Sequence, residues 1–159
     1  MSTLSETRPA AVAWLGYGGL LPFLGTALLC WYEPNHRSFW LQMLLSYGAV
    51  ILSFVGALHW GFAMVHPDRA NLGVGGMYVW SILPALVGWI ALLAAPGMGA
   101  ALLLVGFLAH FRQDQRLARV LSLPAWYLPL RLQLTAVASL CLASVYFLGQ
   151  AVSPAAFSA

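Results

Sequence analysis

The sequence predicts an all-α membrane protein: a polytopic bundle of five transmembrane helices, with the N-terminus in the cytoplasm and the C-terminus outside. Charged residues make up only 7% of the chain and hydrophobic residues 62%, whereas a soluble domain carries about 25% charged residues. Several apolar runs are long enough to cross a hydrocarbon core about 30 Å thick at about 1.5 Å per helical residue. These runs do not alternate polar and apolar residues as barrel strands do, so helices are expected.

Five apolar runs define the predicted membrane domain, residues 11–150. They cover residues 11–32, 39–65, 74–95, 98–113 and 130–150. Residues 1–10 and 151–159 are predicted to be an N-terminal cytoplasmic tail and a C-terminal tail. The fourth run has the shortest uncharged stretch. It crosses the membrane only if long side chains such as Arg112 and Gln113 reach back to the interface.

The arginines predict the orientation of the bundle, since lysine is absent and cytoplasmic loops are enriched in positive charge. With five spans, six arginines share one side of the membrane: Arg8, Arg69, Arg112, Arg116, Arg119 and Arg131. Arg37 alone lies on the opposite side. This asymmetry places the N-terminus inside.

The segment 112–129 is predicted to lie in the membrane interface. Arg112, Arg116 and Arg119 recur at the spacing of one helical face, while Leu117 lies on another face, which is typical of a short in-plane helix. Aromatic rings beside arginines are the usual interfacial anchor. The expected lipid-headgroup anchor consists of Arg112, Arg116, Arg119, Trp126 and Tyr127; a surface for a partner protein is the alternative.

Small residues recur at intervals of three or four in the first three runs. Such residues let helix backbones approach closely in a membrane, and serine hydroxyls can bond to a neighbouring helix. We therefore expect these runs to meet at the centre of the bundle. The predicted packing residues are Gly18, Gly25, Ser53, Gly56, Ser81 and Gly88.

His59 is the one ionisable side chain that the sequence places well inside a confident span. An ionisable group within a membrane is by default a candidate functional residue. Four interpretations stay open: a packing hydrogen bond, contact with a quinone or lipid headgroup, a proton-relay site, and a haem or metal ligand. His110 is expected at the same side, so a two-histidine haem site is conceivable. The ligand-binding candidates are His59, Trp60 and Arg131.

No motif predicts catalysis. CxxCH, HExxH, GxSxG and phosphate-loop patterns do not occur, so neither catalytic residues nor a metal site is assigned, and the cofactor is unknown. Cys30 and Cys141 are interpreted as small buried hydrophobic residues. The interior is expected to contain no Asp or Glu, which argues against a cation-coupled transporter or a carboxylate proton relay.

Four segments occur in an order that is specific to one family. They are LGYGGLLPF at 15–23, SFVGALHWG at 53–61, WSILP at 80–84 and LPAWYLPLRL at 123–132. Together they resemble the bacterial domain-of-unknown-function 3429 family, which is similar to eukaryotic transmembrane protein 69. The resemblance covers residues 11–148. It implies a multi-pass protein of the bacterial inner (plasma) membrane, or of the mitochondrial inner membrane in eukaryotes, and no established activity.

The leading functional hypothesis is a non-enzymatic accessory, assembly or interaction subunit of a membrane complex. Its expected partners are the lipid bilayer and either other subunits of a membrane complex or a second copy of the chain, with no nucleic acid. The alternative is a quinone-, haem- or lipid-binding membrane protein that uses His59. A small-solute transporter or channel ranks third, because such a protein needs a polar path and few polar residues are expected in the interior.

Overall fold

The computed structural model describes residues 8–65, 74–121 and 123–151. These residues form six α-helices and one short 3-10 helix, and no strand occurs among them. The elements are α1 (Ala10–Gly18), α2 (Leu21–Tyr32), the 3-10 helix Pro34–His36, α3 (Arg37–Met64), α4 (Val74–Leu93), α5 (Pro96–Val120) and α6 (Tyr127–Ala151). The predicted all-α membrane bundle is confirmed. Arg69 and most of the two predicted tails lie outside the described residues.

Four stretches of the described chain are long and apolar enough to cross a membrane. They are Ala10–Tyr32, Pro34–Met64, Gly76–Leu93 and Tyr127–Leu148. α5 is different, because its 25 residues extend over about 37 Å at 1.5 Å per residue, yet its last third carries charged side chains. Its apolar part packs between α4 and α6 and also contacts α3.

The first apolar run is divided into two helices. α1 ends at Gly18, and α2 begins at Leu21 with Pro22 in its first turn. Proline is tolerated there because the N–H that it lacks would have no partner within the helix. Pro84, in contrast, lies in the interior of α4. Pro22 therefore marks the start of α2.

Close packing of α3 against α4 depends on two glycines. A Cβ atom on Gly56 would approach Pro84 to 2.9 Å, and one on Gly88 would approach the Ala49 carbonyl oxygen to 3.1 Å. α3 and α4 can therefore approach each other this closely only because glycine, which has no Cβ atom, occupies these two positions. The expected serine bonds between helices are not seen in the described chain, because the Ser53 and Ser81 hydroxyls donate to carbonyls of their own helices.

The expectation of a separate in-plane helix within residues 112–129 does not match the structure. α5 continues to Val120, since nothing in the sequence breaks the helix before Pro124. The arginine periodicity did identify the exposed face: Arg112, Arg116 and Arg119 are exposed and Leu117 is buried. The helix that carries this face is the continuation of α5.

Four helix ends meet at the arginine-rich end of the bundle. The C-terminal parts of α3 and α5 and the N-terminal parts of α4 and α6 come together there. A small apolar cluster of Ala63, Met77, Leu117 and Leu121 marks this end. A larger core, with Phe23, Leu52, Leu103 and Leu142 among its buried members, fills the rest. Between these two apolar regions lie the polar residues that form the candidate site.

Candidate functional site

A buried carboxylate lies at the centre of the site. Asp114, on α5, is 0% exposed. The Arg131 Nε donates a hydrogen bond of 2.7 Å to its Oδ2, and the Tyr127 hydroxyl donates one of 3.2 Å to its Oδ1. Tyr127 and Arg131 are one turn apart at the start of α6, so both face α5. Two donors from one helix thus bind the carboxylate of another.

Two histidines approach the same carboxylate oxygen. The Nε2 atoms of His59 and His110 lie 3.9 Å and 3.7 Å from the Asp114 Oδ1, which is beyond hydrogen-bond distance. The two rings contact each other edge to face with centroids 4.8 Å apart. We call His59, His110, Asp114, Tyr127 and Arg131 the ionic cluster. It joins α3, α5 and α6 near the arginine-rich end of the bundle.

A tryptophan fixes the tautomer of His110. The Trp80 indole Nε1 donates a hydrogen bond of 3.2 Å to the His110 Nδ1. An indole nitrogen can only donate, so Nδ1 must accept and carry no proton. The neutral His110 therefore holds its proton on Nε2, the atom that faces Asp114. His110 therefore directs an N–H group toward the carboxylate, and the interaction between them is weak and electrostatic.

The geometry also brings together a set of residues with metal-binding chemistry. Ligand atoms of His59, His110 and Asp114 all lie within 4.8 Å of one another, and all three residues are buried. A histidine that binds a metal normally donates its other N–H to an acceptor. Trp80 imposes the opposite arrangement on His110, and Arg131 already compensates the charge of Asp114. The tautomer of His110 and the ion pair of Asp114 with Arg131 therefore both oppose metal binding by the trio.

A haem between the two histidines does not fit either. Axial ligation by two histidines requires the porphyrin plane to lie between the rings. Here the His59 and His110 rings are in edge-to-face contact, so that space is occupied by the rings themselves.

An apolar cavity lies beside the ionic cluster, between α1, α2, α3 and α6. Its volume is about 350 Å³, within the range of roughly 300–1,000 Å³ typical of small-molecule sites. Val12, Phe23 and Val55 are among its apolar lining residues. Leu15 and Phe54 also line it and are 78% and 61% exposed, so the cavity reaches the outer surface of the bundle between α1 and α3.

The polar side of the cavity is one face of α6. Tyr127, Arg131 and Thr135 follow one another at intervals of one turn, and all three line the cavity while being largely buried. The Arg131 guanidinium has five N–H donors, and its Nε hydrogen bond to Asp114 occupies one of them. No described residue hydrogen-bonds the Thr135 hydroxyl. Arg131 therefore belongs to both the ionic cluster and the cavity.

The structure brings some of the predicted ligand-binding residues together and separates another. His59 and Arg131 both lie in the ionic cluster. Both side chains converge on Asp114, although the His59 nitrogens make no hydrogen bond of ordinary geometry with the described residues. Trp60 lies on the outer face of α3, where it packs against Tyr78.

The predicted anchor residues also divide into two groups. Arg112, Arg116 and Arg119 are exposed along α5. Trp126 lines the cavity and Tyr127 is buried on Asp114, so these two rings face the protein interior.

Two of the predicted packing residues do not contact another described helix closely. A Cβ atom added to Gly18 or Gly25 would have no neighbouring described atom within 4 Å outside its own helix backbone. These glycines therefore leave an open face on α1 and α2, in contrast to Gly56 and Gly88.

Asp114 is the residue that the sequence analysis missed, and the expectation of an interior without acids was wrong. Arg112 and Arg116 flank Asp114 in the sequence and suggested an interfacial segment. A continuous helix through this stretch places His110, Asp114 and Leu117 on the face opposite the arginines. That spacing is the signal that would have identified the buried acid.

Comparisons with known proteins agree with the membrane fold. A family model described as "Protein of unknown function (DUF3429)" matches residues 8–147. "Transmembrane protein 69" of Xenopus tropicalis is 35% identical over 147 residues, which cover 84% of this chain and 52% of the relative. The Mus musculus protein of the same name is 26% identical over 140 residues, covering 85% and 54%. No solved structure matches the chain.

Removing one partner of the buried ion pair is expected to destabilise the bundle. Arg131→Met leaves the Asp114 carboxylate buried without its cation, which costs about 3–5 kcal/mol. The double variant Asp114→Leu with Arg131→Met removes both charges and should recover most of that loss. Unfolding of the purified protein in detergent measures both effects.

The exposed arginine on α5 supplies the matched control. Arg112→Met should change the unfolding free energy by less than about 0.5 kcal/mol, because surface substitutions away from special contacts have small effects. If Arg131→Met were no more destabilising than Arg112→Met, the ion pair would not hold α5 and α6 together.

Proposed function

The chain belongs to the DUF3429 family of proteins of unknown function, and we propose that this integral membrane protein binds an apolar membrane molecule with a polar head, a lipid or an isoprenoid quinone. The cavity between α1, α2, α3 and α6 is the binding site. The observation that carries the proposal is the position of Arg131, which lies where the apolar cavity wall meets the ionic cluster.

The opening of the cavity favours a ligand that comes from the bilayer. Leu15 and Phe54 are apolar residues at the rim, and both are exposed on the outer surface of the bundle. Hydrocarbon covers such a surface in a membrane. A molecule dissolved in the acyl-chain region can therefore enter between α1 and α3 without crossing a polar barrier.

The composition of the lining favours a molecule with a long apolar part. Ligand sites combine a mostly hydrophobic wall with a few polar groups that orient the ligand. Here Val12, Phe23 and Val55 belong to the apolar wall, while Arg131 and Thr135 are polar groups on one face. An amphiphile would place its hydrocarbon chain along the apolar wall and its polar head against Arg131 and Thr135.

The relatives extend this proposal no further. The chain spans about half the length of the curated relatives it matches, 52% and 54%. Their name describes them as transmembrane proteins and mentions no ligand. The binding role rests on the cavity alone.

Filling the cavity from α1 tests the proposal. Val12→Phe places a ring in the cavity, and α1 is lightly packed, so the bundle should still fold. We expect the amount of bound lipid or quinone, measured by native mass spectrometry of the purified protein, to fall at least about tenfold, which requires a loss of at least about 1.4 kcal/mol in binding.

Ala11→Phe is the control, because Ala11 is exposed on the same helix and does not line the cavity. It should retain the bound molecule. Equal ligand content in the two variants would contradict binding in this cavity.

An accessory role in a larger membrane complex is a second proposal, favoured by the open glycine face of α1 and α2. An added Cβ at Gly18 or Gly25 meets open space. Small residues on such a face allow close approach of a further helix. This face is compatible with a ligand in the cavity, since neither glycine lines it.

Mild-detergent purification tests the accessory role. A stoichiometric membrane partner should accompany the unaltered chain and be lost from Gly25→Leu. Gly61→Leu is the matched control, because an added Cβ at Gly61 also meets open space, but on α3. A chain that stays free of partners in several mild detergents would argue against this role.

We also propose an inner-membrane location with the arginine-rich end of the bundle in the cytoplasm. Arg112, Arg116 and Arg119 are exposed near that end, while Arg37 begins α3 at the other. The positive-inside rule then orients the chain.

Labelling of single added cysteines tests this orientation, since Cys30 and Cys141 are buried. A membrane-impermeant maleimide added to intact cells should label Asn35→Cys and leave Arg119→Cys unlabelled until the cells are lysed. The reverse pattern would invert the topology.

A further inference from the structure

Resting on the proposed function, we infer that the polar head held at Arg131 is uncharged and carries a carbonyl oxygen, so that neutral carbonyl amphiphiles bind in preference to anionic lipids. The inference depends on how the charge of Arg131 is already used, and on which hydrogen-bonding groups remain open toward the cavity.

The charge of Arg131 is compensated inside the protein. Its Nε lies 2.7 Å from the Asp114 Oδ2, and both side chains are buried. Two other members of the ionic cluster add no charge as arranged here: Trp80 holds His110 in a neutral tautomer, and the Tyr127 hydroxyl donates to the carboxylate. The buried His59 nitrogens have no hydrogen-bond partner among the described residues, which favours the neutral imidazole because a buried charge without a partner is unfavourable. The net charge of the described residues around the polar head is therefore approximately zero.

A phosphate head would disturb this balance. It would bring a negative charge into a largely buried site in which the one cation among the described lining residues is already paired. A buried charge without its own counter-ion is strongly unfavourable. Arg8, which lies just before α1, donates to the exposed Tyr17 hydroxyl and does not line the cavity.

The open hydrogen-bonding groups favour an acceptor on the ligand. Arg131 retains N–H donors after its Nε hydrogen bond to Asp114, and an arginine side chain has no acceptor. The Thr135 hydroxyl, one turn further along α6, lines the same cavity. No carboxylate is among the described lining residues. A carbonyl oxygen can accept from Arg131 and Thr135 without adding a formal charge.

Two kinds of membrane molecule carry this chemistry. An isoprenoid quinone has ring carbonyls at the end of a hydrocarbon tail, and an uncharged glycerolipid has ester carbonyls near the start of its acyl chains. Both combine a neutral carbonyl head with a chain that suits the apolar wall of the cavity. Direct comparison of probes distinguishes these two sources.

The experiment compares probes that differ in the head group. The purified full-length protein is titrated with a benzoquinone that carries a decyl chain, with a short-chain diacylglycerol, and with phosphatidic acid of the same acyl chains. Binding is followed by native mass spectrometry. At least one neutral probe should bind about tenfold or more tightly than phosphatidic acid, a difference of about 1.4 kcal/mol, and the tighter neutral probe identifies the source.

Two variants test the physical cause of this preference. Asp114→Asn leaves the charge of Arg131 uncompensated, so phosphatidic acid should gain affinity relative to the neutral probe. Thr135→Val removes a hydroxyl at nearly constant shape and should weaken the neutral probe several-fold. Thr26→Val is its matched control, because the Thr26 hydroxyl donates to a carbonyl of its own helix outside the cavity.

The outcomes separate this inference from the proposed function. Tighter binding of phosphatidic acid by the unaltered protein, abolished by Val12→Phe, would overturn the neutral head and leave the binding site intact. Failure of all three probes to bind would overturn both. If Asp114→Asn does not fold, the probe ranking and the Thr135→Val comparison still decide the question.

Discussion

The ion pair between Asp114 and Arg131 is the constraint on which this end of the molecule depends. A carboxylate that is 0% exposed persists in a membrane bundle only when a cation and hydrogen-bond donors surround it. Arg131 and Tyr127 meet that need together, since both lie on one face in the first turns of α6. The pair therefore fixes where α6 begins relative to α5, and with it the wall of the cavity that α6 provides.

Arg131 links the ionic cluster and the cavity because its planar guanidinium group can contact both at once. Its Nε faces Asp114, and the same side chain lines the cavity. A molecule in the cavity thus contacts a side chain whose position is set by a different helix. A chain with only seven arginines and four acids has placed one of each at this junction. The exposed Arg112, Arg116 and Arg119 have no comparable contact in the described chain.

The fold class followed from composition, because length and hydropathy are properties of single segments. The apolar runs located the helices, and the arginine spacing located the exposed face of α5. Composition did not predict the end of α5 or the burial of Asp114. Arg112 and Arg116 give that stretch the average composition of an interface, although they lie on a different face of α5 from Asp114. The partner of Asp114 comes from α6, 17 residues away, and the cavity results from how α1 lies against α6. The partner of Asp114 and the cavity both arise from tertiary packing, which no local sequence pattern encodes.

The direction of the hydrogen bonds supports the proposed ligand site in the cavity rather than within the ionic cluster. Every described group that contacts Asp114 closely is a donor, so the carboxylate is already satisfied by Arg131 and Tyr127. Trp80 fixes the His110 tautomer in a way that opposes metal ligation. The Asp114 carboxylate therefore has its partners, whereas the His59 nitrogens and the His110 Nε2 have none among the described residues. Among the described residues that line the cavity, donor capacity stays open at Arg131 and Thr135, and the proposed ligand has to match these groups.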